Sequence, residues 1–314
     1  MKAAIVQGTG QTPVFGDFAE PQAGPGEQRI RVKASALSQL ARARASGTHY
    51  SSSGSFPFVA GVDGIGTTND RRRVYFVLPR APFGAMAEQS VAPADHCLAV
   101  PDALDDITAA AIANPGMSSW AALTERARFK SGETVLINGA TGASGQLAVQ
   151  IARFMGAARV IATGRNREVL ASLGADAMIA LTEDGEALEA AFKAEFSRGV
   201  DVVLDYIWGP SAEHLLIAAA RASPEGVPVR FIQIGTASGA DIRLPGAVLR
   251  SSALELLGSG IGSVPLSRLL AAIAGVFDAA AAGALTLSST SVPLAEVAAT
   301  WEKPGDERVV FTTG

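Results

Sequence analysis

The sequence predicts an α/β fold, a Rossmann-type doubly wound parallel sheet inserted into a mostly β domain. Three observations carry this. Residues 113–262 alternate short apolar runs with amphipathic ones, the rhythm of strands and helices in a parallel sheet. Residues 1–112 are short β runs cut by Pro, Gly and Ser. Residues 263–314 end in "RVVF", a strand able to rejoin the first part. The expected domains are therefore 1–112 with 263–314, and 113–262 between them.

In the first part "AAIV", "QRIRVKASAL", "VYFV" and "AMAEQSVAP" are apolar or alternating runs, separated by segments such as "EPQAGPGEQ". That pattern fits an antiparallel barrel or sandwich better than βαβ units. From Asp105, "DDITAAAIANPGMSSWAALTERARF" predicts helix interrupted at Asn114-Pro115-Gly116. Then come "TVLING", "GQLAVQIARFMG", "RVIATG", "NREVLASLG", "AMIAL", "EALEAAFKAEFS", "VDVVLDYI", "SAEHLLIAAAR" and "VRFIQIG". The strands are continuously apolar, as expected where helices cover both faces of a sheet. The Ala-rich run from Leu269 to Ala284 predicts an amphipathic or buried helix.

Composition narrows the function classes. With 314 residues, 48% hydrophobic and 18% charged, the chain can bury a large core. A net charge of −4 gives no global attraction to nucleic acid or an anionic membrane. Cys97 is the only cysteine, which excludes an intrachain disulfide and a thiolate metal cluster; it is expected as a small core residue. "MKAAIVQGTG" enters a strand without a signal-peptide core, and no apolar run is long enough for a bilayer. A soluble, cytoplasmic protein is the expectation.

The chemistry-bearing motif is "TVLINGATGASGQLAVQIARFMGA". Ala140-Thr141-Gly142-Ala143-Ser144-Gly145 follows G-x-G-x-x-G with Ala in the first place, and Gly139 precedes it. Gly142 lets a pyrophosphate approach the backbone, Gly145 lets the helix pack on the sheet, and the helix N-terminus offers unpaired N–H groups. Such turns also arise for packing alone. Here the apolar strand before, the amphipathic helix after and the second strand at the right distance favour a dinucleotide.

The end of that second strand lacks the usual ribose-binding acid and reads Thr163-Gly164-Arg165-Asn166-Arg167. Gly164 is expected to leave space, Arg165 to fork onto a 2′-phosphate, and Thr163 and Asn166 to donate neutral hydrogen bonds. Arg167 either assists or is a solvated residue of the following helix. These residues point to NADPH.

Together with "FPFVAGVDGIG", "AMAEQSVAP", "VPDALDDITAAAIANPGMSSWAAL", "GVDVVLDYIWG" and "FIQIGTASG", the chain resembles the medium-chain dehydrogenase/reductase superfamily, in particular its zinc-independent quinone oxidoreductase branch. The resemblance implies a GroES-like barrel catalytic domain around the inserted Rossmann domain. Zinc members of the family hold metal with a Cys, a Gly-His-Glu segment and a further Cys or Asp. Here Ser38 stands near the first position, Val62 at the His of Gly61-Val62-Asp63-Gly64, and the third falls near Pro115. Imidazole and thiolate are missing together, so no metal is expected. By resemblance Ser38, Asn114, Gly235 and Thr236 are nicotinamide-side contacts, and Ser38 is a candidate catalytic residue. Tyr50 in "SGTHY", beside His49, sits where zinc-free enoyl-thioester reductases carry a proton-donating Tyr; an ordinary loop tyrosine is the other reading. His96, His214 and Tyr75 are expected to be structural.

Two departures stand out. Leu181 replaces a common Tyr, and Tyr206-Ile207-Trp208-Gly209 replaces Ser-Val-Gly-Gly, with bulk that narrows the cofactor cleft or shapes the substrate pocket. The resemblance implies an NADPH-dependent reductase of quinones or α,β-unsaturated carbonyls. An enoyl-thioester reductase and a cofactor-binding protein with little turnover are the alternatives. "SALELLGSGIG" is the expected edge strand of a homodimer.

Replacing Arg165 with Ala is expected to weaken NADPH binding about tenfold or more, the scale of a charge-assisted hydrogen bond, and NADH hardly at all. Cofactor titrations check this; equal weakening of both would put the phosphate on another residue.

Overall fold

In the computed structural model residues 1–47, 55–182, 185–303 and 307–314 are described. The chain forms two compact units: Met1–Asn114 with Ala280–Ala282 and Thr286–Gly314, and Pro115–Ala279 with Gly283–Leu285.

The first unit begins with β1 (Lys2–Val6), β2 (Val14–Asp17), β3 (Glu27–Ala36), the short helix α1 (Gln39–Ala45), β4 (Phe58–Val59), β5 (Asp63–Thr68), β6 (Arg73–Val77), β7 (Gln89–Pro93) and β8 (Cys97–Ala99). β1 pairs antiparallel with β2 and β4 in a three-stranded sheet. β3 alternates as its sequence does, and its Ile30 and Val32 meet Val74, Phe76 and Ala92 in one core. Cys97 is only half-buried at the margin of that core, and burial pushes its thiol up to about 11.

Helix α2 (Asp106–Ala121) carries Pro115 inside it and runs on into a π-helical stretch over Ala122–Ala127 that ends at Arg128 in a left-handed conformation. The expected interruption at Asn114-Pro115-Gly116 is therefore corrected. The turn stays helical although Pro115 cannot donate to the ladder. Gly116 is held at a close contact, where a Cβ would stand 2.8 Å from Val276.

The second unit continues through β9 (Thr134–Asn138), α3 (Ala143–Phe154), β10 (Arg159–Gly164), α4 (Arg167–Ser172), β11 (Ala177–Ala180), α5 (Gly185–Arg198), β12 (Val202–Asp205), α6 (Gly209–Ala222), β13 (Val229–Gln233), α7 (Gly246–Arg250), β14 (Leu254–Gly258) and α8 (Leu266–Ala281). Its sheet has six parallel strands in the order β11-β10-β9-β12-β13-β14. Leu136, Ile161, Val203 and Phe231 of four strands pack with Phe192 and Phe196 of α5 and Leu215 and Leu216 of α6. Each such side chain contributes about 1.5–3 kcal/mol by leaving water. Helix α8 lies with this unit as far as Ala279, whereas the sequence reading places residues from 263 onward in the first domain. Small residues make the difference: Gly275 sits so close to Trp120 that a Cβ would collide with the indole ring.

The tail supplies β15 (Ser289–Pro293), α9 (Val297–Thr300) and β16 (Arg308–Thr312). β16 pairs antiparallel with β3 and parallel with β15, completing a seven-stranded sheet of the first unit. The chain thus leaves the first unit, builds the parallel sheet and returns. No helix among the described residues is long and apolar enough to cross a membrane.

Candidate functional site

The strand order of the second unit reverses between β9 and β12. In open α/β sheets ligands bind in the crevice outside the carboxyl ends of the strands at such a point. The glycine turn lies there, between β9 and α3.

Each glycine of the turn has a separate job. Gly139 has φ 90°, and a Cβ on it would come 2.6 Å from Ile207 Cγ2. A Cβ on Gly145 would collide with the Gly139 carbonyl oxygen and Ala140 Cα, so α3 can approach the turn only with glycine there. Gly142 is exposed and open, and a Cβ on it would meet nothing within 4 Å. It is the N-cap of α3, and no side chain caps that helix. The first-turn amides of Ala143, Ser144 and Gly145 therefore have no intrahelical partner, and they carry the positive end of the helix dipole. Ala140 is buried, its amide donating to the Thr163 carbonyl at 2.7 Å, while the Gln146 side chain donates to the Thr141 carbonyl at 3.0 Å.

Beneath the turn runs a buried polar relay across the ends of three neighbouring strands. The Gly139 amide donates to Thr163 Oγ1 at 3.2 Å, and that hydroxyl donates to Asn138 Oδ1 at 2.7 Å. Asn138 Nδ2 donates to Asp205 Oδ1 at 2.8 Å and to Ser211 Oγ at 3.0 Å. Asp205 Oδ1 also accepts from the amides of Ile207 at 3.2 Å and Trp208 at 3.1 Å. Asn138, Thr163 and Asp205 are each fully buried. Burial pushes the Asp205 carboxyl up to about 6, against the lowering pull of the Trp208 amide, Asn138 and the Ile207 amide. The carboxylate ties the glycine turn to the loop after β12.

That loop is strained. Trp208 has φ 56° and ψ −155°, a region nearly reserved for glycine, at a cost of about 1–3 kcal/mol. Its indole meets Phe231 edge to face, centroids 6.3 Å apart. The Ser238 amide donates to the Ile207 carbonyl at 2.7 Å, and Gly235 lies so close to the Tyr206 carbonyl that a Cβ would collide with it. Gly235 and Thr236 therefore sit at the end of β13 beside the switch point, with Thr236 exposed. Burial pushes the Tyr206 phenol up to about 12, so it keeps its proton at neutral pH.

At the end of β10 two expectations change. The space over Gly164 is filled by Thr141, whose Cγ2 a Cβ would strike, so this glycine serves the close approach of turn and strand. Thr163 is not a free donor, because its hydroxyl is spent on Asn138. Asn166 caps α4, its Oδ1 accepting from the amides of Glu168 at 3.1 Å and Val169 at 3.2 Å; its amide group keeps its donors. Arg165 and Arg167 are exposed, and Arg167 reaches Thr182 Oγ1 at 3.5 Å.

In the first unit Ser38 is buried and caps α1, accepting from the Ala41 amide at 3.0 Å. Its hydroxyl therefore has a structural task. Asn114 is half-buried in α2 and Val62 is buried. Tyr75 is core, donating to Asp63 Oδ2 at 3.2 Å, and burial pushes the Asp63 carboxyl up to about 6. His96 Nδ1 lies 3.2 Å from the Val77 carbonyl, and His214 lies on α6. Tyr50 and His49 lie outside the described residues.

The family model described as zinc-binding dehydrogenase matches residues 143–273. The probable NADPH-dependent quinone reductase tdiC of Emericella nidulans is 29% identical, over 96% of this chain and 96% of that protein. The quinone oxidoreductase of Thermus thermophilus, solved also in complex with NADPH, superposes with a TM-score of 0.76 at 28% identity over the full length of both chains. These likenesses support the medium-chain dehydrogenase/reductase superfamily. By likeness the chain falls in the quinone-reductase-like branch. It is also 30% identical, over 72% of its length, to the phthioceranic/hydroxyphthioceranic acid synthase of Mycobacterium tuberculosis, of which it spans 11%.

The relay gives a stability prediction. The folded Asp205 carboxyl titrates near 6, above the 3.8 of a free carboxyl, so the folded state holds this proton more tightly. Its contribution to stability is therefore lost as pH rises from about 4 through 6, by about 1–3 kcal/mol. Asp205→Asn keeps an oxygen for the three donors and removes the buried charge. The expected outcome is a variant whose denaturation midpoint gains on the wild type from pH 4 to pH 7. A constant offset would refute the assignment.

Proposed function

We propose that this chain is an NADPH-dependent reductase that passes hydride to a quinone or an α,β-unsaturated carbonyl. The observation that carries the reading is the open Gly142 turn and uncapped α3 N-terminus, next to a β10 end that bears Arg165 and Arg167 instead of an acid. The fit is chemical. Amides of Ala143 to Gly145 suit a pyrophosphate, and the arginines suit a 2′-phosphate that a carboxylate would repel.

Bound there, NADPH supplies the hydride; with one proton from water a quinone becomes hydroquinone and NADP⁺ is left. The protein's part is to hold and orient. The relay from Gly139 to Asp205 fixes the turn, and the Tyr206–Gly209 and Gly235–Gly239 segments, hydrogen-bonded through Ser238, fix the other wall. Such positioning is a large share of what a hydride transfer to an electron-poor acceptor needs.

Oxidation of NADPH and NADH is followed side by side with simple quinones, enones and an enoyl thioester. Quinone or enone reduction preferring NADPH is expected. Reduction of none of them while NADPH binds would mean a cofactor-binding protein without this turnover. The homodimer is proposed through β14, an edge strand with Leu256 37% exposed, next to α7 with Leu249 44% exposed. Sedimentation at micromolar concentration is expected to give a dimer; a monomer would remove this pairing.

A further inference from the structure

Asp205 stands at the carboxyl end of β12, beside the switch point, and its two oxygens are treated unequally. Oδ1 accepts from Asn138 Nδ2 and from the amides of Ile207 and Trp208. Oδ2 is buried and has no hydrogen-bond partner among the described residues. The proton of this carboxyl therefore belongs on Oδ2. Shedding it leaves a charge in the interior that donors to the other oxygen offset only in part.

Among the described residues no cation acts on that charge. Its neighbours Asn138 on β9 and Gln233 on β13 are neutral, and Tyr206 keeps its phenolic proton. On α6, Glu213 accepts from the Arg243 amide at 2.7 Å and Arg221 pairs with Glu189 at 2.8 Å. His214 faces the start of α5, where a Cβ on Gly185 would stand 3.8 Å away. On α3, Arg153 pairs with Asp176 at 2.9 Å.

A dinucleotide lies across a switch point with one half on each side. The arginines at the end of β10 suit the adenosine half, which leaves the nicotinamide half to β12 and β13. Asp205 belongs to that side: its main-chain carbonyl accepts from the amides of Ile234 at 2.7 Å and Gly235 at 3.1 Å. The oxidised and reduced cofactors share every phosphate and differ by one hydride, so the ring is a cation in the first and neutral in the second. A buried negative charge on the nicotinamide side tells them apart, since charges interact more strongly there than in water.

We propose that Asp205 reads the redox state of the cofactor: its ionised, unpaired carboxylate favours NADP⁺ over NADPH, and a proton on Oδ2 removes that preference. An ionised Asp205 thus makes bound NADPH the readier hydride donor, and a protonated one loosens the oxidised product. The inference rests on the NADPH reading of the site.

The test is calorimetric titration of the protein with NADP⁺ and with NADPH, separately and without acceptor, from pH 5 to pH 8. The informative quantity is the ratio of the two Kd values, in which titration of the shared phosphates cancels. Burial pushes the Asp205 carboxyl up to about 6, so it is mostly protonated at pH 5 and ionised at pH 8. The wild-type preference for NADP⁺ is expected to rise severalfold over this range. Asp205→Asn is expected to show a flat ratio, with a preference for NADP⁺ about tenfold smaller than the wild type at pH 8. Tenfold is the effect of unit charges about 12 Å apart at an effective dielectric constant of about 20. The wild-type profile stands without the variant, and the NAD⁺ and NADH pair repeats it without the 2′-phosphate. A flat wild-type ratio with both forms bound overturns this inference alone, as does an equal rise in Asp205→Asn. Binding of neither form overturns the reductase reading with it. A ratio that follows Asp205, without turnover of any quinone or enone, supports the inference and removes the reductase reading.

Discussion

Three parallel strands end in three buried polar side chains, and the second unit's crevice depends on their agreement. Thr163, Asn138 and Asp205 sit at the carboxyl ends of neighbouring strands, where apolar runs give way to loops. A buried polar group costs free energy unless it is paired, so each of the three constrains its neighbour. The direction of donation is fixed from the Gly139 amide to the Asp205 carboxylate. Loss of one member would leave the next with an unmet bond and free one of the two loops.

Against that frame the glycines divide by what surrounds them. Gly139, Gly145 and Gly164 are occupied positions, where a neighbour fills the place a side chain would take. Gly142 is the empty one. In the first case glycine makes room for a neighbour, the Ile207 and Thr141 side chains at Gly139 and Gly164 and the turn's own backbone at Gly145; in the second it leaves the backbone open. The same residue type therefore builds the wall and leaves the opening. Across the crevice Trp208 holds a backbone setting that glycine would take easily, and its amide on Asp205 and its ring on Phe231 hold it there.

The alternation of strand and helix was legible in the sequence because continuous apolar runs such as "VLIN" and "VVLD" have few other uses, and the glycine turn was legible from its spacing. The relay was less so. Its signal was present, since those runs end in Asn138 and Asp205, but pairing between residues 67 apart follows from strand order, which spacing does not give. Gly164 misled for a related reason: a missing side chain leaves room only if nothing else enters, and Thr141 enters from a loop more than twenty residues earlier. Pro115 misled because its local preference gave way to close packing of Gly116 on Val276. The domain boundary near α8 depended on the same small-residue contacts.

The arginines after β10 lie exposed, outside the low-dielectric interior that holds the relay. Charges in water are screened over about 10 Å at 0.1 M salt, whereas amides at a helix end act at contact distance. A preference between two cofactors that differ by one phosphate, when set by exposed arginines, is thus a quantity of the solution as much as of the protein. It narrows as ionic strength rises, while the grip on the pyrophosphate common to both cofactors changes less.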